Sequence, residues 1–309
     1  MVVTQCYHKR AQTIDRRPRL RVSPSCMTQI TRITVLGAGT MGHGIAHASA
    51  ASGYETRMFD VSDAALDKGR SAIEAIARKS VELGKLHAAD ADGLLRRISV
   101  TSDLGQALDD TDFVIEAVPE RIDLKLKLFG EIERLAPERA VIASNTSALS
   151  ITELAATLKD PARVAGMHFF NPVHKMKLIE IVQALESAAA TLEVIEQVSR
   201  QMGKETVLVR ESPGFITTRV NASLGNEAFY MLMEGVASAR DIDKALKLGL
   251  NHPMGPFELV DLVGLDTRLS ILEYLHRSMG EKYRPCPLLV QYVKAGRLGR
   301  KVGRGVYDY

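Results

Sequence analysis

Several protein classes are excluded by what the chain has little of. Aromatic residues make up only 5% of 309, too few for a base-stacking surface, and beyond residue 28 basic and acidic groups nearly balance. A nucleic-acid partner therefore has little to hold. There are three cysteines, Cys6, Cys26 and Cys286, with no CxxC spacing, so neither a disulfide framework nor a structural metal site is expected, and the pattern suits a reducing compartment. No internal repeat and no low-complexity tract is evident. One apolar stretch, residues 33–51, approaches the length of a membrane span, but His43, His47 and four glycines would sit poorly in hydrocarbon; no membrane partner is expected. What remains, 46% hydrophobic and 25% charged, is the composition of a globular chain of about two domains.

Residues 1–28 stand apart. They carry Lys9, Arg10, Arg16, Arg17, Arg19 and Arg21 against the single acid Asp15, and no apolar periodicity. The segment reads either as a removable organelle-targeting leader, which would place the protein in the mitochondrial matrix, or as an unstructured overlong start with Met27 as the true first residue and a cytoplasmic product.

From residue 29 the pattern is strand, glycine turn, helix. Ile33–Leu36 is a short apolar run, Gly37-Ala38-Gly39-Thr40-Met41-Gly42 follows, and small residues continue to Gly53, which opens a βαβ unit. Further strands are expected at Glu55–Phe59, Phe113–Ala117, Ala140–Ser144, Val164–Met167 and Thr206–Val209, with a long helix over Ala64–Leu83. This alternation predicts an α/β fold: a doubly wound, mostly parallel sheet of Rossmann type over 29–211. Ser212-Pro213-Gly214 punctuates the chain, and residues 212–309 are expected to form a second, all-helical domain with helices over Ile216–Glu234, Ala239–Leu248, Asp266–Met279 and Leu288–Ala295.

The glycine turn has a physical reading. Gly37 permits a sharp exit from the strand, Gly39 lets backbone approach a pyrophosphate, and Gly42 allows close packing of helix on sheet, with the helix N-terminus facing an anion. Asp60 ends the second expected strand, where its carboxylate suits both adenosine ribose hydroxyls. A 2′-phosphate would meet that charge, so NAD is favoured over NADP, with nearby Arg57 as the counter-indication. A hydride-transfer site needs an acid/base, for which histidine serves in both directions. Of eight histidines, His168 follows an apolar strand at the carboxyl end of the sheet, and Glu180, in Lys177-Leu178-Ile179-Glu180-Ile181, lies in a stretch able to return beside it. His87, His174, His252 and His276 have no evident acidic partner.

Together these residues resemble the 3-hydroxyacyl-CoA dehydrogenase family, in particular its short-chain 3-hydroxybutyryl-CoA members. The motifs are GAGTMG at 37–42, EAVPE at 116–120, SNTS at 144–147, HFFNP at 168–172, SPGF at 212–215, HPMGPFELVDLVGLD at 252–266 and the GRKVGRGVYDY ending. The resemblance implies a reversible L-3-hydroxyacyl-CoA:NAD oxidoreductase with His168 as acid/base, Glu180 as its orienting partner, and Ser147 bonded to the substrate 3-oxygen and close to the nicotinamide. It also implies cofactor contacts at Gly37, Gly39, Thr40, Met41, Gly42, Asp60, Glu120, Lys125, Asn145, Asn171 and Lys301, with Asn171 touching substrate too, and a homodimer paired through the helical domain. Ser150 reads as a helix cap.

One departure concerns the run after SPGF, where the family usually has a Phe-Ile-Val-Asn-Arg-like sequence and this chain has Phe215-Ile216-Thr217-Thr218-Arg219. Either the Thr218 hydroxyl steadies the thioester carbonyl in place of an amide, or Asn221 reaches in. For the coenzyme A phosphates, Lys68, Arg78, Lys79 and Lys85 are candidates, although Ile76 stands where the family has a CoA-contacting serine. Met231, Leu232 and Met233 read as acyl-pocket residues or as helix core. The competing functions are oxidation of a free hydroxy acid such as gulonate, and a non-catalytic NAD-binding protein.

Overall fold

A computed structural model describes residues 29–309; the basic leader and its cysteines lie outside these residues. The chain alternates β1 (Arg32–Leu36), α1 (Gly42–Ala51), β2 (Glu55–Phe59), α2 (Asp63–Glu82), α3 (Ala88–Arg96), β3 (Ile98–Thr101), α4 (Leu104–Leu108), β4 (Phe113–Glu116), α5 (Ile122–Leu135), β5 (Val141–Ser144), α6 (Ile151–Ala155), β6 (Val164–Phe169), β7 (Leu178–Gln183), α7 (Ala189–Gln201) and β8 (Glu205–Arg210). The strands form one sheet in the order β3-β2-β1-β4-β5-β6-β7-β8. All neighbours are parallel except β6 and β7.

The central strands are buried on both faces, which is why their sequences are near-continuous apolar runs. On one face Ile33, Val35, Ile115 and Met167 pack under Ile45, Leu66, Ile73 and Ile195 of α1, α2 and α7. On the other, Leu36, Val114, Ile142 and Val182 pack under Phe129, Ile132, Ile151 and Leu154 of α5 and α6. Side-chain caps fix where several helices begin: Ser62 accepts from Ala65 N, Asp103 from Gln106 N, and Ser150 from Glu153 N, each satisfying an otherwise unpaired first-turn amide.

Three local readings are corrected. The strand expected to stop at Met167 continues to Phe169, so His168 lies within β6. The edge strand β3 and the helix α3 were not anticipated: Ile98-Ser99-Val100-Thr101 is only partly buried, and α3 carries a polar Asp90-Ala91-Asp92-Gly93 run in its middle, so neither has a strong apolar period. β7 was not expected as a strand, because Glu180 stands in the middle of its apolar residues; together with β8 it runs opposite to β1–β6.

The second region comprises α8 (Thr217–Met233), α9 (Ala239–Gly249), α10 (Pro256–Val263), α11 (Leu265–Met279) and α12 (Pro287–Lys294). It has its own core around Phe229, Phe257, Val260, Leu272, Leu275 and Leu289, in which Phe229 meets Phe257 edge-to-face at 5.2 Å. Met231 and Leu232 pack against this core, whereas Met233 is exposed. Asp261 ties down the C-terminal segment by accepting from Val306 N and Tyr307 N at 2.8 and 2.9 Å.

The β1–α1 turn depends on two glycines. Gly37 has φ +105°, and a Cβ on Gly42 would stand 1.7 Å from the Gly37 carbonyl oxygen. Gly42→Ala should therefore destabilise the fold by about 3 kcal/mol, read as a lower urea midpoint; an unchanged midpoint contradicts the close approach.

Candidate active site

A cavity of about 700 Å³ opens at the carboxyl ends of β1, β2, β4 and β5, where ligands of open α/β sheets bind. Its walls include Gly37, Gly39, Thr40, Met41, Asp60, Glu120, Lys125, Asn145 and Ser147 from the sheet region, and Asp266, Thr267, Ser270, Ile271, Tyr274 and Arg277 from α11. The α11 residues recur at helical spacing and close the cleft from the second region. Sequence reading found this helix but gave it no role in the site; its polar stripe beside a buried Leu265, Leu272 and Leu275 face was the available signal. Gly42, Asn171, Lys301, Thr218, His168 and Glu180 are not on this wall.

The residues present fit a dinucleotide. A Cβ on Gly39 would meet nothing within 4 Å, so backbone there faces open space. Asp60 accepts from Ala38 N at 2.9 Å and Ser62 N at 3.1 Å, which holds its carboxylate at the end of β2 against the turn. Arg57 is committed elsewhere, donating to the Gln106 carbonyl at 2.6 Å and lying 3.3 Å from Asp110.

Behind Glu120 lies a buried polar network. Lys125, expected as a cofactor contact, is buried, with Nζ 2.5 Å from Glu116 Oε1, 3.5 Å from Glu120 Oε2 and 3.3 Å from the Val118 carbonyl. Ser144 Oγ donates to Glu116 Oε2 at 2.6 Å. Burial pushes the Glu116 carboxyl up, against the pull of the Lys125 ammonium and the Ser144 hydroxyl. Glu120 Oε1 accepts from Thr146 Oγ1, Ser147 N and Ala148 N. One carboxylate thus shapes the loop that presents Ser147, whose own hydroxyl makes no hydrogen bond among the described residues. Lys301 reaches the cleft only indirectly, pairing with Asp266 at 2.6 Å. Asn171 is exposed in the β6–β7 connection.

The antiparallel register of β6 and β7 sets His168 opposite Glu180, on the face of the sheet away from Met167, Phe169, Ile179 and Ile181. His168 Nδ1 stands 2.7 Å from Glu180 Oε2, and both residues are buried. A carboxylate only accepts, so Nδ1 carries the hydrogen and Nε2 is the free nitrogen of the neutral ring. Phe170 and Phe215 lie 4.6 and 5.8 Å from the imidazole, centroid to centroid. Asn145 Oδ1, on the cleft wall, accepts from Phe169 N at 2.8 Å, which ties the wall to the residue after His168.

Sequence reading missed Thr217. Its backbone amide donates to Glu180 Oε1 at 2.9 Å and its hydroxyl to Glu180 Oε2 at 3.1 Å, whereas the hydroxyl of the neighbouring, half-buried Thr218 makes no hydrogen bond among the described residues. The signal was the second hydroxyl in the Thr217-Thr218 pair. Among the histidines thought to lack an acid, His276 has Glu281 at 3.2 Å, on the exposed surface.

A second cavity of about 1020 Å³ lies on the other side of α1, lined by His47, Lys79, Ser80, Lys85, Arg97, His174 and Lys175 among others. Lys79 also pairs with Glu82 at 3.0 Å; Lys68 and Arg78 are exposed on α2 away from this lining. His47 is pushed down to about 4 by burial, reinforced by His174, His43 and Lys204. Among the described residues no three His, Cys, Asp or Glu side chains are grouped to hold a metal, and no helix is long and apolar enough to cross a membrane.

The family model described as the 3-hydroxyacyl-CoA dehydrogenase NAD binding domain matches residues 32–212, and that described as the 3-hydroxyacyl-CoA dehydrogenase C-terminal domain matches 214–309. The chain belongs to the 3-hydroxyacyl-CoA dehydrogenase family. NAD is its cofactor. Similar family members include a probable 3-hydroxybutyryl-CoA dehydrogenase of Bacillus subtilis (strain 168), 45% identical over 91% of this chain and 98% of that protein. Another is a 3-hydroxybutyryl-CoA dehydrogenase of Bradyrhizobium diazoefficiens, 42% identical over 91% and 96%. The crystal structure of (S)-3-hydroxybutyryl-CoA dehydrogenase from Ralstonia eutropha superimposes with a TM-score of 0.88 at 44% identity, covering 91% of this chain and 99% of that one.

The Glu180 carboxyl sits below its usual range: burial pushes it up, and hydrogen bonds from His168 and Thr217 with the imidazole charge outweigh that. A depressed carboxyl contributes stability that is present above its unfolded value and is lost as pH falls through the folded one. The stability difference between wild type and Glu180→Gln should therefore be full above about pH 5 and shrink below about pH 4.5. Urea titrations at pH 4, 5 and 7 check this; a difference independent of pH contradicts it.

Proposed function

We propose that the chain is an L-3-hydroxyacyl-CoA dehydrogenase that interconverts 3-hydroxybutyryl-CoA and acetoacetyl-CoA, with His168 as acid/base and Glu180 as its partner. The observation that carries this reading is the 2.7 Å bond from His168 Nδ1 to Glu180 Oε2, one residue from the hydrogen bond that joins β6 to the cofactor cleft. The substrates of the similar proteins support the acyl-CoA class.

NAD, when bound, supplies the hydride acceptor for the alcohol carbon and returns hydride in the opposite direction. His168 Nε2 takes the 3-hydroxyl proton during oxidation and gives it back during reduction. Glu180 fixes the Nδ1–H tautomer and balances the imidazolium charge. The Ser147 hydroxyl, held in place by the Glu120 cap on its loop, donates to the 3-oxygen. Thr218 steadies the thioester carbonyl, and Asn171 lies near enough in sequence to His168 to join them. The basic lining of the second cavity, with Lys79 and Lys85, takes the phosphates of coenzyme A. In this reading 29–211 is the NAD-binding domain and 212–309 the substrate and dimerisation domain, whose exposed Leu248, Leu250, Leu262 and Val263 provide the surface for a homodimer.

NADH absorbance followed with acetoacetyl-CoA, with a free hydroxy acid and NAD as the comparison, tests the substrate class; turnover confined to the free acid contradicts it. His168→Gln should lower turnover by roughly 100-fold or more while NADH affinity, read by fluorescence titration, stays within about twofold. Wild-type turnover in that variant removes His168 from the role.

A further inference from the structure

Two donors converge on one oxygen. Glu180 Oε2 accepts from His168 Nδ1 at 2.7 Å and from Thr217 Oγ1 at 3.1 Å, while Oε1 accepts the Thr217 amide at 2.9 Å. Thr217 is the first residue of α8, and the Ile216 side chain before it provides no cap. The carboxylate of β7 therefore takes the place of a cap at the start of a helix in the other region, where an anion is favoured. The amide bond accounts for that cap by itself. The hydroxyl bond is additional, and it falls on the oxygen that holds the imidazole.

From this geometry we propose that Thr217 is a positioning residue whose hydroxyl shares Glu180 Oε2 with His168, restraining the carboxylate and moderating its hold on the imidazole Nδ1–H. A carboxylate oxygen that already accepts one hydrogen bond has less charge to offer a second donor. Removing the hydroxyl leaves that charge to the imidazole and favours the imidazolium. The other charged groups on this side of the sheet are already paired: Lys125 with Glu116 and Glu120, and Glu211 with Ser150 Oγ and Thr152 N. The rings of Phe170 and Phe215 flank His168 without charge. On α8, Arg219 is directed onto Tyr283 Oη and Ser212 Oγ; on α7, which packs behind the sheet, Glu196 and Arg200 pair with each other. Lys177 and Glu205 stand at the starts of β7 and β8, and Arg210 at the end of β8.

The proposal rests on the acid/base reading of His168 for its catalytic meaning, so its test has an arm that does not need turnover. Thr217→Val keeps the branched shape and removes the donor, and Thr217→Ser keeps the donor. In the NADH-bound enzyme, the histidine NMR resonance that disappears in His168→Gln is titrated in wild type and both variants. The midpoint in Thr217→Val should rise by about half a pH unit, the scale of one shared hydrogen bond, and Thr217→Ser should stay at the wild-type value. The alkaline limb of kcat/KM for acetoacetyl-CoA reduction should move upward by the same amount, with KM for NADH unchanged. Coincident midpoints for Thr217→Val and wild type, or equal shifts in Val and Ser variants, overturn the proposal. A shifted midpoint with an unshifted rate profile overturns the acid/base reading of His168 and leaves the hydrogen-bond inference standing.

Discussion

The cross-strand pair of His168 and Glu180 is the constraint on which the site depends. It exists because β6 and β7 run antiparallel in a sheet that is otherwise parallel, so that residues directly opposite share a face. A slip of one residue would send the histidine to the apolar face occupied by Met167 and Phe169 and take the imidazole donor away from a buried carboxylate, an arrangement costly enough to specify the register. The sheet in effect uses the first of its two reversed strands, β7 and β8, to place a charged group where apolar residues would otherwise be expected.

The pair is then held from two directions. From the sheet side, Asn145 just after β5 fixes the backbone after His168, and the Glu116–Lys125–Glu120 network sets the Ser147 loop on the cleft wall. From the helical side, the first turn of α8 supplies an amide and a hydroxyl to Glu180, and Phe215 inserts into the core of the first region while its ring edges the imidazole. Two regions with separate cores are thereby joined at the same carboxylate. α11 closes the cleft from the helical side, so the position of that region bears on both cleft and dyad.

The Rossmann architecture was legible because long apolar runs alternate with helical periods and a glycine turn sits where a cofactor needs backbone close by. Four of the helices of the second region were legible for the same reason of period, whereas α10, eight residues opening on Pro256, was not. Other features were written in weaker local signals. β3 has a mixed, half-buried sequence; β7 carries its decisive residue, Glu180, as an apparent break in an apolar run. Lys125 looks like any lysine on an amphipathic helix, and only the folded position of Glu116, nine residues earlier, shows that its ammonium is buried. Thr217 was overshadowed by Thr218, since sequence gives spacing but not which of two adjacent hydroxyls turns toward a carboxylate from a strand 37 residues away.

The central claim is that the free Nε2 of His168, oriented by Glu180, meets the reacting oxygen. The most direct measurement is a crystal structure of the ternary complex with NADH and acetoacetyl-CoA. The account predicts the 3-oxygen within roughly 2.6–3.2 Å of His168 Nε2, with Nδ1 still bonded to Glu180. A 3-oxygen bonded to other groups, with the imidazole turned away from it, would contradict the account.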